Sequence, residues 1–140
     1  MIDKEQLRKV FEEAMETHEL EFEKFFLIKM LQLSFTYTDE ECHVSLPVQP
    51  QWFNPIKSLH GGVIAACMDM SMGHLIHHVT GAGASTIEMK VQYLRPATQG
   101  VVRFQGRFIK KGRSVSFLES RAYDENGKVV AAATSTWKMP

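Results

Sequence analysis

The residues best suited to chemistry stand close together: Asn54, then His60-Gly61-Gly62, then Asp69. Two glycines where a loop turns into a helix leave backbone N–H groups bare, so a ligand oxygen can approach them closely. The helix N-terminus adds its positive dipole end. One such donor aimed at a developing oxyanion is typically worth about 3–4 kcal/mol. Asp69 is the only charge on a helix face shared with Gly62, Ala65, Ala66, Gly73 and Ile76, a face that otherwise reads as core. A buried carboxylate is costly unless it is hydrogen-bonded or kept for chemistry. His60 is placed to orient the turn through a ring hydrogen bond. An electrophile-binding helix end with a nearby base is the minimum equipment for acyl transfer.

Spacing adds a constraint. Gly61 and Asp69 lie eight residues apart, which is about 12 Å along one helix. A single carbonyl cannot touch both within one chain. If the two act together they come from different subunits across a two-fold axis, so the spacing predicts a homodimer.

The elements that must position these residues follow from periodicity. Residues 3–18 place Leu7, Val10, Phe11, Ala14 and His18 on one helical stripe, opened by Asp3 and Gln6 in the manner of a capping box. The mixed segment 20–26 reads as a second short helix. From Ile28 the period changes to two, so 28–48 reads as a hairpin turning at Asp39-Glu40. Residues 49–58, with two prolines, form a loop. Helix 59–78 follows and is apolar nearly all round, which predicts burial on most sides. Four strands come next, over 85–94, 101–110, 114–124 and 128–138, with Asn126-Gly127 as a strong hairpin turn. The order predicts an α+β fold in which an antiparallel sheet wraps a long central helix, preceded by an N-terminal helix.

Composition narrows the function classes. The 140 residues suffice for one domain with its own core. Sixteen basic and sixteen acidic residues cancel, so no global charge favours nucleic acid or a membrane surface. Cys42 and Cys67 form no disulfide framework, which fits a cytoplasmic protein. No signal-like or membrane-spanning apolar run is present.

With that layout, Asn54-Pro-x4-His60-Gly61-Gly62-x6-Asp69, Tyr93-Leu-Arg-Pro-Ala97, Lys111-Gly-Arg113 and Asp124-x-x-Gly127-Lys128-x-x-Ala131 resemble the hotdog-fold acyl-CoA thioesterases, specifically the phenylacetate-pathway (PaaI-type) branch. The resemblance implies a hotdog domain over 26–140 behind an N-terminal helical extension over 1–25, assembled as a homodimer or homotetramer with active sites at the dimer seam. It implies hydrolysis of acyl-CoA without metal or other cofactor. By the same resemblance, the Gly61 N–H polarises the thioester carbonyl, Asp69 of the other subunit activates water or attacks directly, Asn54 positions the water or thioester, and Thr86 helps hold the water. Some relatives carry a hydroxyl one turn after the acidic residue, where this chain has Gly73. Ser71 faces elsewhere.

Other residues offer further chemistry. Gly62, Arg95, Lys111 and Arg113 are candidates for contact with substrate, the basic ones with the phosphates of coenzyme A. Met68, Met70 and Met72 suit either a core or an adaptable acyl tunnel; a tunnel would favour fatty acyl chains. Trp52 and Phe53 suit a pocket wall or a packing staple. His74 and His78 have metal-binding spacing, but no His-Glu-x-x-His pattern accompanies them, and a helix C-terminus favours histidine anyway. Two other readings of the same fold are a non-catalytic acyl-CoA-binding protein and a hydratase or dehydratase.

Overall fold

The computed structural model describes residues 1–140. In chain order the elements are α1 (Lys4–Thr17), α2 (Phe26–Leu31), β1 (Ser34–Tyr37), β2 (Glu41–Pro47), a single 3-10 turn (Pro50–Trp52), α3 (Gly61–Thr80), β3 (Ser85–Tyr93), β4 (Val101–Lys110), β5 (Val115–Tyr123) and β6 (Val129–Lys138). The six strands form one antiparallel sheet in the order β1-β2-β4-β5-β6-β3. The sheet wraps α3, the hotdog arrangement that the order of elements predicts.

Alternation builds the sheet's inner face. Cys42, Val44 and Leu46 of β2, Val102 and Phe104 of β4, and Leu118 and Ala122 of β5 all point inward and are fully buried. They meet Ile64, Met68, Met72, Leu75 and Ile76 of α3 in one core. Helix and sheet approach closely at Gly106, where an added Cβ would stand 2.3 Å from the Ser71 carbonyl oxygen. Beside that contact the Ser71 and Ser120 hydroxyls hydrogen-bond at 2.7 Å, satisfying both inside the core. The helix ends at Gly81, whose positive φ of 78° suits the left-handed cap.

Several boundaries differ from the periodic reading. Residues 28–31 are helical rather than strand, because Ile28 and Leu31 both turn into the core from α2 and Gln32 reverses the chain at φ 55°. The second helix begins at Phe26, after the turn-rich segment 20–25. The central helix starts at Gly61 and runs two residues past 78. Asp3 does cap α1, accepting from the Gln6 N–H at 3.0 Å. Phe11 and Phe26 then meet edge to face and join α1 to α2. No helix is long and apolar enough to cross a membrane.

Candidate active site

The loop before α3 is stitched by one side chain. Asn54 Oδ1 accepts from the N–H groups of Ile56 (3.1 Å) and Ser58 (3.2 Å), and its Nδ2 donates to Ser58 Oγ at 3.1 Å. Phe53 and Leu59 bridge across the base of this loop. The Leu59 N–H donates to the Ala97 carbonyl and the His60 N–H to that of Trp52, both at 2.8 Å. Most of the Asn54 amide is therefore committed to holding the approach to the helix.

His60 is the N-cap of α3, and its Nδ1 accepts the Gly62 N–H at 2.8 Å. Its carbonyl accepts from Val63 (3.0 Å) and Ile64 (3.1 Å). Among the first-turn donors this leaves the Gly61 N–H without a protein partner. The two glycines are thus not equivalent. Gly62, a candidate substrate contact by sequence, has its N–H engaged by the histidine, whereas Gly61 keeps a free donor at the positive end of the helix.

Gly61 opens onto a cleft of about 400 Å³ lined by Asn54, Leu59, Ile64, Tyr93, Leu94 and Arg95 among others. The structure therefore brings Asn54, Gly61 and Arg95 together. It adds Tyr93, whose hydroxyl donates to the Gly61 carbonyl at 2.7 Å. Local sequence carries no signal for this contact, because the two residues are 32 apart and meet only through the fold.

Asp69 lies two turns further along α3 and does not line that cleft. Thr86 Oγ1 donates to Asp69 Oδ1 at 2.7 Å, from the start of β3 beside a bulge between Thr86 and Glu88. Contrary to the pattern, the part of the face that carries Asp69 is not core. Ala65, Ala66, Asp69 and Gly73 are only half-buried while their helical neighbours Met68, Met70 and Met72 are buried. β3 is an edge strand with mostly exposed residues, so the single chain covers this stripe only in part. Gly73, the position where some relatives carry a hydroxyl, sits under Trp137: an added Cβ would be 3.0 Å from the indole.

The remaining candidates separate. Lys111 and Arg113 lie in the β4–β5 turn, level through the sheet register with Ser85 (Val115 opposite Lys138, Lys138 opposite Ser85). Tyr93 is at the other end of the same ladder, opposite Ala131. Within one chain these two basic residues are therefore remote from Arg95 and near the Asp69 end. Lys111 borders a separate depression with Asp39, Glu40, Glu41 and Glu119. Met68, Met70 and Met72 all belong to the core cluster, and Met72 Sδ accepts from Ser135 Oγ, so they line no acyl tunnel within the chain. Trp52 borders an apolar pocket with Ile2, Leu7, Phe11 and Met30.

The three histidines at the end of α3 are engaged in different ways, and only His74 is buried. His74 is buried, with Nδ1 on the Met70 carbonyl and Nε2 accepting the Glu23 N–H at 3.2 Å. Burial lowers its pKa from 6.5 to about 4, outweighing its backbone hydrogen bond. Phe22 stacks on His77 and Tyr37 on His78. Burial likewise pushes the thiols of Cys42 and Cys67 up to about 12, which removes both as nucleophiles.

Comparison with known proteins places the fold in a family. The model of the thioesterase superfamily matches residues 57–131, more than half of the chain, from just before the His60 turn to β6. The chain belongs to the thioesterase superfamily. A curated Saccharolobus solfataricus protein, named "Putative esterase SSO2140", is 28% identical over 115 residues, covering 81% of this chain and 79% of its own length. A phenylacetic acid degradation-related protein from Ralstonia eutropha superposes with a TM-score of 0.74 at 24% identity, over 81% of this chain and 89% of its own. A Bacillus halodurans protein crystallised with CoA superposes with a TM-score of 0.87 at 21% identity, over 100% of this chain and 95% of its own. At these identities the two structures speak for the fold. Membership of the superfamily makes thioester hydrolysis the reaction class against which the site is read.

Proposed function

We propose that this protein is an acyl-CoA thioesterase that works as a homodimer, each site pairing Gly61 of one subunit with Asp69 of the other. The observation that carries the reading is the free Gly61 N–H, singled out at the head of α3 by the His60 cap. The thioester carbonyl oxygen sits on that donor. Water loses a proton to Asp69 while its oxygen bonds to the carbonyl carbon, and the Gly61 N–H stabilises the resulting oxyanion. The oxyanion then collapses, the C–S bond breaks, and Asp69 returns its proton to the departing thiolate. A thioester carbonyl is electrophilic enough for a carboxylate and one oxyanion donor to suffice. Thr86 holds one oxygen of Asp69 and fixes the direction in which the other presents to water. Asn54 lines the same cleft and keeps one Nδ2 hydrogen to offer the thioester from the loop side.

Support for the dimer is the half-exposed small-residue stripe on α3 beside the uncovered β3 edge, a surface that a second copy would close. A two-fold axis along β3 sets the Asp69 end of one subunit against the Gly61 end of its partner. It also delivers the partner's Lys111-Gly-Arg113 turn toward the same site as Arg95, where a CoA phosphate needs cations. The CoA found with the Bacillus halodurans protein is the reason for preferring CoA as the carrier.

The test is thiol release from acetyl-, phenylacetyl-, hexanoyl-, decanoyl- and palmitoyl-CoA by the wild type and Asp69→Asn in parallel. Turnover that falls by about a hundredfold or more in the variant is expected. Equal rates in both proteins would remove Asp69 from the chemistry.

A further inference from the structure

The Tyr93 hydroxyl touches the same peptide unit that His60 holds from the other side. The Gly61 carbonyl accepts from Tyr93 at 2.7 Å, and the Gly62 N–H, in the same peptide plane, donates to His60 Nδ1 at 2.8 Å. The plane before Gly61 is anchored as well, since the His60 carbonyl accepts from Val63 and Ile64. Both peptide planes flanking the Gly61 Cα are therefore pinned, and the one group left over is the Gly61 N–H.

We propose that Tyr93 is a positioning residue for the oxyanion donor, clamping the Gly61–Gly62 peptide together with His60 so that the Gly61 N–H keeps a single direction. The inference rests on the thioesterase reading and names a residue that reading does not contain. Glycine has the widest backbone freedom of any residue, so an unclamped Gly61 would be the softest point of the site. Oxyanion stabilisation is correspondingly sensitive, because a donor displaced by a fraction of its bond length loses most of its effect on the transition state. Tyr93 also dictates the residue it clamps. An added Cβ at Gly61 would stand 3.1 Å from Tyr93 Cζ and 3.2 Å from its hydroxyl oxygen, so ring and side chain cannot share the space without movement.

A purely structural role fits the position poorly. Tyr93 is the last residue of β3, is 53% exposed and borders the cleft, and its hydrogen bond is open to water. Such a bond adds little to folding. It does connect the edge strand of the sheet to the head of α3.

Tyr93→Phe keeps the ring and removes the hydroxyl. The expected result is a fall in kcat of about tenfold, equivalent to about 1.4 kcal/mol, with KM raised by no more than about threefold and the thermal midpoint within a degree or two of wild type, on the order of experimental scatter. A second readout isolates the donor. In the Asp69→Asn background, Tyr93→Phe should weaken binding of decanoyl-CoA about threefold and leave S-decyl-CoA, the thioether lacking a carbonyl, unaffected. An unchanged kcat, or equal weakening of both ligands, would overturn the clamp while leaving the thioesterase reading in place. Wild-type protein that releases no thiol from any acyl-CoA would overturn both.

Discussion

The first and last turns of α3 both carry histidine, in opposite circumstances. At the first turn His60 accepts one backbone N–H, and by doing so leaves its neighbour Gly61 as a donor facing a cleft. At the last turns His74 has both ring nitrogens engaged, and Phe22 and Tyr37 cover His77 and His78. One end leaves a polar group over; the other leaves none on its buried ring. Residue type alone ranks the histidine cluster as the richer chemistry. For the buried His74 the hydrogen-bond inventory reverses that ranking, because a ligand can be held only by groups that the fold has not already satisfied, while His77 and His78 are engaged by ring stacking.

The sharpest way to break this contrast is to remove the free donor alone. Gly61→Pro deletes that N–H at the first helical position, where proline is tolerated. It should cost about a hundredfold or more in kcat, or about 3–4 kcal/mol of transition-state stabilisation. Gly61→Ala is the control, since it adds a similar collision with Tyr93 but keeps the donor. If the two variants lose the same activity, the collision and not the donor is responsible.

The C-terminal end should respond in stability and not in rate. The folded protein keeps His74 neutral down to about pH 4, whereas an unfolded histidine protonates near 6.5. The unfolded chain therefore binds the extra proton between these values. The contribution is fully present above about pH 6.5 and is lost as pH falls toward 4, amounting to at most about 3 kcal/mol. Chemical denaturation at pH 7 and pH 4.5 measures it, and His74→Gln should flatten the difference without changing kcat at pH 7.5. A pH-independent stability would show that the burial of His74 has little consequence.

Smaller effects refine the picture. His60→Ala removes the cap from Gly62 and should cost about 1 kcal/mol of stability. It should also lower kcat about tenfold by loosening the Gly61–Gly62 peptide, whereas His60→Asn, a good N-cap, should recover most of the stability. His77→Ala removes only the stack on Phe22, and a change of about 0.5–1 kcal/mol in stability with no kinetic effect is expected. A kinetic effect at His77 would mean that the two ends of α3 are coupled.

The fold was legible wherever one period ran unbroken. β4, β5 and β6 and the Asn126-Gly127 turn lie within a residue or so of their expected positions, because each strand has one wet and one dry face. Residues 28–31 misled because a short apolar run serves a strand and a buried helix equally well, and the left-handed Gln32 that separates them has no strong sequence mark. At the site, the His-Gly-Gly turn and Asp69 could be picked out from residue types and spacing. Thr86 comes in only through the family resemblance, and its bond to Asp69, 17 residues away, is made by the fold. The Tyr93 bond to Gly61 is likewise a product of sheet register. Asp69 was expected in the core because helix amphipathicity records which face is dry without saying whether the chain itself or a second copy makes it so.

The two cysteines have a practical consequence. Only a thiolate attacks a disulfide reagent, and a thiol with a pKa of about 12 is ionised to about one part in ten thousand at pH 8. Both Cys42 and Cys67 are also fully buried. In a colorimetric assay for liberated coenzyme the native protein is therefore silent, and every equivalent of colour comes from substrate. Denaturation would add two equivalents per chain, so the same reagent that counts turnovers also reports when the enzyme has come apart.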